Sequence, residues 1–409
     1  MPQVALRERL DRLAKGETHP YAAAGQSPPA AAPLCQPSRP RPRHDPILPH
    51  GFEFVPTPYG DAALREDVIP LTELDPHPGA VAYIDTETTG LTGGTGTYVF
   101  AAAVARPIDC GLRLAQLFLP QPGLEAAFLH RLHEELMEAE GLGTFNGSSF
   151  DLPVLRTRWV MARMPGELAS PPHVDLLTLV RALYRHRLES CTLRMVEERL
   201  LGYERDDPIV SALIPDAYFD YLHRGSSTIL DGVLEHNRLD VISLVYLHSR
   251  LLARLRGADA NMDAADWLAL GRHRIRRGAR ADGWRALRNA TNFRQGEAAA
   301  TAGLFIARRL SRRGSVSGAE DLLGWLEHSV SDDVRLPVAR ARLLEWRHRD
   351  PERALVVVEA ARERMPEEAA GLEPRRIRLG RKVSKRKQTV QRLSAVEACP
   401  VQAPLPDLV

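Results

Sequence analysis

Cysteine is scarce in this chain: four residues in 409, at positions 35, 110, 191 and 399. None forms a Cys-x-x-Cys pair or joins a Cys/His cluster. That argues against a thiolate zinc site and against a disulfide framework, and it fits a reducing cytoplasm. No apolar run approaches the roughly 18 residues that a membrane span needs. Residues 1–16 are charged and amphipathic and lack the apolar core of a signal peptide. The expectation is a cytoplasmic protein with no membrane partner. A strong charge imbalance is also missing, since the net charge is only +2, although the placement of that charge is uneven. The Gly-rich stretch 92–97 has no Gly-Lys-Ser/Thr after it and so is not a phosphate-binding loop of that kind.

At this length one compact core is not enough, and two to three domains are expected. Residues 1–50 read as a short helix, with Leu6, Leu10 and Leu13 at helical spacing, followed by a Pro/Ala-rich disordered linker. Residues 51–257 carry mixed strand and helix signals. An apolar run ending at residue 90 is followed by alternating runs at 98–104 and 112–119, which predict an antiparallel meander. A helix is predicted over about 124–138, then a short strand at 142–145, then a helix opening at Asp151. More helices follow from Asp175, with Asp175 and Ser190 or Thr192 as N-caps. The last begins near Leu230.

Residues 258–366 read as wholly helical. Arg276-Arg277-Gly278 recurs as Arg312-Arg313-Gly314 and more weakly as Arg347-His348-Arg349. That period of about 36 is close to the roughly 34 of tetratricopeptide repeats, and about three helical hairpins are expected, a non-repeating bundle being the alternative. Core packing is the default role for Trp267, Trp284, Trp325 and Trp346. Residues 367–409 form a basic tail, expected to be disordered and a candidate nucleic-acid tether.

Chemistry is concentrated in four carboxylates. In the strand Val81-Ala82-Tyr83-Ile84-Asp85-Thr86-Glu87, positions 85 and 87 share a face. Two adjacent carboxylates repel unless a cation lies between them, and Mg²⁺ takes such hard oxygen ligands. Asp151 follows a strand and turn at a helix start. Asp240 lies on a helix one turn after His236, so these two share a face. Carboxylates that hold two metals about 4 Å apart suit phosphodiester cleavage.

Asp85-Thr-Glu87, Asn146-x-x-x-Phe150-Asp151 and His236-x-x-x-Asp240 resemble, in order and spacing, the three motifs of the DEDD 3′–5′ exonucleases. The longer wording from Tyr83 to Leu91, with Gly93-Gly94-Thr95-Gly96-Thr97-Tyr98 after it, is similar to the bacterial YprB-like branch. Members of that branch often carry a helical repeat region after the nuclease-like domain. The resemblance implies an α/β fold with a ribonuclease H-like mixed sheet flanked by helices, then an all-α tetratricopeptide-like region. It also implies two Mg²⁺ or Mn²⁺ ions on Asp85, Glu87, Asp151 and Asp240. One departure stands out. The DEDDh kind places its His five residues before the last Asp and the DEDDy kind a Tyr four before it, whereas His236 stands four before Asp240.

His236 is either the group that orients or deprotonates the attacking water or a helix-face His bonded to a neighbour. Asp85 and Glu87 join it as catalytic candidates. Among candidate substrate contacts, Thr88 lies at the strand end. Asn146 either bonds substrate or caps its turn, and Phe150 either stacks on a base or joins the core. Arg156 lines a phosphate track with Arg158, Arg181, Arg185 and Arg187, or each is a solvated charge. His173 and Asp175 read as structural. The expected function is hydrolysis of single-stranded or frayed DNA or RNA ends in the 3′–5′ direction, with the helical repeats docking a protein partner or holding the strand. The alternative is a non-catalytic adaptor that binds nucleic acid or protein.

Overall fold

The computed structural model describes residues 46–70, 79–90, 94–109, 111–164, 172–205, 211–225 and 229–397. The expected N-terminal helix, nearly all of the Pro/Ala-rich linker and part of the Gly-rich turn lie outside these residues.

The first half is built on one seven-stranded sheet. Its strands are β1 (Glu53–Thr57), β2 (Gly60–Ile69), β3 (Val81–Thr88), β4 (Val99–Ile108), β5 (Gly111–Phe118), β6 (Gly141–Thr144) and β7 (His173–Asp175), in the order β1-β2-β5-β4-β3-β6-β7. The expected meander is β3–β4–β5, antiparallel throughout, and β6 and β7 then extend the sheet in parallel beside β3. The hairpin β1–β2 was not anticipated. Pro56 interrupts its outer strand, which an edge position tolerates because no ladder donor is needed there.

The central strand β4 is apolar on both faces, as a sheet covered on both sides requires. On one face pack α1 (Glu125–Met137), α2 (Asp151–Met161) and, after the covering elements α3 (Leu176–Tyr184) and α4 (Leu193–Val196) of the other face, α5 (Ile214–Arg224). The long helix α6 (Leu230–Arg256) serves both faces. Leu230, Val233 and Leu234 join the first core, whereas Val241, Leu244, Leu247 and Leu251 join the second with α3. Its middle packs against β3 and β4, and that is where Asn237 and Asp240 sit.

Helical hairpins follow: α7 (Ala264–Arg276) with α8 (Arg280–Asn292), α9 (Gly296–Arg312) with α10 (Val316–Ser329), and α11 (Arg335–Leu343) with α12 (Pro351–Arg364). The recurrent turns place Gly278 and Gly314 at φ 89° and Arg349 at φ 56°, the left-handed position that glycine fills most readily. Two of the four tryptophans depart from the core-packing expectation. Trp325 and Trp346 are exposed, and Arg294 and Lys382 lie over their rings.

The basic stretch departs further from expectation. Ala369–Glu397 is a single helix, α13. Leu372 and Leu379 are buried against α12, and Arg378 and Lys382 reach the buried Glu345 at 2.6 and 2.7 Å. An apolar seam and an internal counter-ion order a segment whose charge alone argued for disorder.

The two halves are stapled by Asp266, fully buried at the start of α7. It accepts from His186 Nε2 and Arg187 Nε, both at 2.8 Å, and pairs with Arg254 at 3.0 Å. Burial raises its carboxyl, but the hydrogen bonds from His186 and Arg187 outweigh that and hold it far below the carboxylate range. Breaking a buried pair strands the remaining charges. Asp266→Asn is therefore expected to destabilise the protein by about 3–5 kcal/mol, read by thermal denaturation. A shift within error would show that the staple contributes nothing.

Candidate functional site

Strand alternation sends Tyr83, Asp85 and Glu87 to one face of β3 and Ile84, Thr86 and Thr88 to the other. A register shift between Glu87 and Thr88 ends the regular pairing with β4. Asp151 reaches the site from the neighbouring strand. After β6 the chain turns through Asn146, which takes φ 68°, a left-handed value that Asn tolerates. The amides of Asn146 and Ser148 donate to Asp175 at 2.9 and 3.2 Å, and the same carboxylate caps α3 through Leu177 N–H. Asp175 is thus the structural residue expected, with a second task of shaping the turn that delivers Asp151. A Cβ on Gly147 would lie 2.5 Å from Thr144, so the turn also requires glycine there.

Asp85, Glu87, Asp151 and Asp240 lie close enough to act on one another electrostatically. Burial, then the charges of Asp240, Asp151 and Glu87, push the Asp85 carboxyl well above the usual range. Burial, then Asp240 and Asp151, do the same to Glu87. Burial raises Asp151 to about 6. Such crowding marks a shortage of positive charge around Asp85, Glu87 and Asp151, and the ligand set is all oxygen. That combination fits hard divalent ions.

Three side chains that sequence reasoning missed hold this set. Gln116 Nε2, fully buried on β5, donates to Leu234 O at 2.7 Å and to Asn237 Oδ1 at 3.2 Å. That fixes the Asn237 amide, whose Nδ2 then donates to Asp85 Oδ2 at 2.8 Å and to its backbone oxygen at 3.1 Å. Thr86 Oγ1 donates to Asp151 Oδ1 at 2.5 Å. The only sequence signals were positional: Thr86 lies between the two acids of β3, and Asn237 follows His236 on an otherwise apolar face.

Arg205 was missed too, and it alters the site most. Its buried guanidinium pairs with Asp240 Oδ1 at 2.5 Å and with Glu197. It also approaches His236 Nδ1 at 3.5 Å, while His236 Nε2 lies 3.8 Å from Asp240 Oδ2. Loop residues with no local pattern give no hint of such a long-range pair.

The remaining candidates divide. Thr88 is buried and its hydroxyl donates to Gly90 O at 2.8 Å, closing the strand end. Asn146 is exposed, Phe150 half-buried before α2, and Arg156 exposed on α2 near His173. Arg158 is not on a phosphate track: it forms a fork with Glu125 at 2.5 and 2.6 Å and stacks on Tyr98. Arg187 is taken up by Asp263 and Asp266. Among the described residues, the one group of three acidic or His side chains whose ligand atoms all lie within 4.8 Å is His186, Asp263 and Asp266. That group is the staple, already neutralised by Arg187 and Arg254. No three of the four site carboxylates form such a compact group.

Residues 82–252 match the family described as the RNase_H superfamily, a range that takes in all four carboxylates, His236, Asn237 and Arg205. This part of the chain is RNase H-like. The uncharacterized protein YprB of Bacillus subtilis (strain 168) is 35% identical to the chain over 175 residues, 42% of this chain and 42% of that protein. The chain thus spans less than half the length of the curated relative it matches. A family B DNA polymerase from the hyperthermophilic archaeon Pyrobaculum calidifontis aligns with 51% of this chain and 30% of its own, at TM-score 0.34 and 16% identity. That likeness is too slight to carry an argument. No helix among the described residues is long and apolar enough to cross a membrane.

Outer hydrogen-bond partners of metal ligands typically matter 10- to 100-fold in metal affinity. Asn237→Ala in the RNase H-like part is expected to weaken Mn²⁺ binding by about that factor, measured by titration calorimetry. An unchanged affinity would show that Asp85 does not need its amide partner.

Proposed function

We propose that the protein is a metal-dependent exonuclease acting on single-stranded or frayed nucleic acid ends in the 3′–5′ direction. The observation that carries this reading is the electrostatic strain of Asp85, Glu87 and Asp151, crowded with Asp240 in a set that offers only carboxylate oxygens. These four carboxylates would hold two Mg²⁺ or Mn²⁺ ions. When bound, such ions supply Lewis-acid polarisation of the phosphate and an activated water.

The chain's own residues would do the rest. Asn237, fixed by Gln116, orients Asp85, and Thr86 orients Asp151. Arg205 pairs with Asp240 and holds it in place. His236, one turn before Asp240 and 3.8 Å from its carboxylate, would orient or deprotonate the attacking water. The direction of digestion rests on the resemblance to DEDD exonucleases. The Arg205–Asp240 pair also favours a second reading, since an internal cation that ties up one ligand suits a non-catalytic adaptor.

Incubating the purified protein with end-labelled single-stranded DNA and RNA decides between them, with Mg²⁺, Mn²⁺ or chelator present. Metal-dependent shortening from the 3′ end is expected. Equal degradation by wild type and an Asp85→Asn/Glu87→Gln variant would sink the nuclease reading. No degradation by either would support the adaptor.

A further inference from the structure

Arginine supplies almost all of the positive charge: no lysine occurs between Lys15 and Lys382. Much of that charge converges on one cavity of about 1580 Å³ between α3 of the RNase H-like part and helices α7, α8 and α9. Pockets for small ligands run to roughly 300–1,000 Å³, so this one has room for a polymer. Nine of its lining residues are arginines, and a single carboxylate, Asp175, faces them. Asp175 is already committed to the 146–148 turn and the α3 cap.

Elsewhere in the helical region arginines find acids: Arg335 with Asp333, Arg340 with Glu327, Arg353 with Glu320. Among the described residues none of the nine cavity arginines forms an ion pair with a carboxylate. Burial and then the charges of Arg313 and Arg280 hold the Arg309 guanidinium below its usual value. A like-charge cluster of this kind is destabilising on its own and complements a polyanion.

Two further features narrow the partner. Arg309 lies over the Trp284 ring at 4.3 Å and Arg272 over Phe305 at 5.0 Å, and all four line the cavity. Stacked guanidinium and aromatic planes suit unpaired bases, which expose their faces as paired ones do not. An acidic protein segment would match the charge and leave these planes unused. At its other end the cavity reaches Ser148, His173 and Asp175, and Asp151 begins α2 three residues after Ser148.

We infer that this cleft binds a single-stranded nucleic acid and leads the strand from the carboxylate site across α3 onto α7–α9. The helical region would then be part of the substrate path. The inference rests on the nuclease reading for its direction, while binding can be tested without it.

The test uses the full chain in chelator, with fluorescein-labelled single-stranded DNA and RNA of about 20 nucleotides followed by anisotropy over a salt series. Arg272→Gln/Arg309→Gln is expected to weaken binding at least about tenfold and to lower the log–log salt slope by about 1.4, near 0.7 for each phosphate no longer neutralised. The charge-matched control Arg199→Gln/Arg285→Gln, outside the cleft, should bind as wild type. Thermal melting checks that the cleft variant is folded, and Arg272→Lys/Arg309→Lys should recover part of the affinity. Whichever nucleic acid binds more tightly names the preferred strand.

Unchanged affinity and slope in the cleft variant would overturn the inference, as would no binding by wild type, or polyglutamate competing as well as the oligonucleotide. Hydrolysis of a mononucleotide nitrophenyl ester, too short for the cleft, separates the two proposals. No hydrolysis by wild type, with cleft-dependent binding intact, removes the nuclease and leaves the cleft.

Discussion

Asp85→Asn/Glu87→Gln is expected to lose at least about 10³-fold of the metal-dependent nuclease rate, roughly 4 kcal/mol of transition-state stabilisation. The substitutions keep shape and remove charge, and the amide of Asn237 can still bond a neutral side chain at position 85. The fold should therefore persist. Indeed the variant should be more stable than wild type without metal, because two mutually repelling buried charges disappear. Lost activity with raised metal-free stability is a combination that simple misfolding does not produce. The rate comes from single-turnover digestion of an end-labelled strand, and the stability from denaturant melts in chelator. Residual activity within tenfold of wild type would place the chemistry elsewhere.

Stability of the metal-free protein should fall as pH rises from about 4 to 7. Asp151 titrates near 6 in the folded state and near 3.9 when unfolded. Between those values the folded protein holds a proton that the unfolded chain has released, so ΔG of unfolding decreases with pH. The contribution is fully present below the unfolded value and is lost as pH passes through about 6. Two units correspond to about 3 kcal/mol for this group alone. Asp85 and Glu87 shift in the same direction and titrate with it as a set. Saturating Mn²⁺ should reverse the trend, since ligands must ionise to bind and affinity then rises with pH. Asp151→Asn should flatten the metal-free profile. Melting curves in chelator from pH 4 to 8 supply the check, and a profile that rises throughout would contradict the strained-carboxylate account.

Much of the site was legible because its parts are local patterns. Period-two alternation placed Asp85 and Glu87 on one face of β3, and helical spacing placed His236 beside Asp240. The β3–β5 meander and the recurrent turns at Gly278 and Gly314 were visible for the same reason. What escaped reading depends on partners distant in sequence. Arg205 meets Asp240 from a loop, Gln116 meets Asn237 from another strand, and Arg158 is withdrawn from any phosphate track by Glu125. The ordered α13 belongs with these, because Glu345 and the α12 surface order it rather than its own composition. So does most of the arginine cleft: Arg181 and Arg185 were read as phosphate-track candidates, but the other seven arginines join them from α7 and α9 and their C-terminal turns. The hairpin β1–β2 failed for a different reason: charged Arg65, Glu66 and Asp67 and an interior Pro56 obscure strand alternation at a sheet edge.

The central claim is that four crowded carboxylates form a divalent-metal site, and direct titration of Mn²⁺ into metal-free protein tests it without any substrate. Wild type should bind two ions with release of protons at pH 7, and Asp85→Asn/Glu87→Gln should bind at most one, weakly. Equal binding by the two proteins, or none by wild type, would contradict the account.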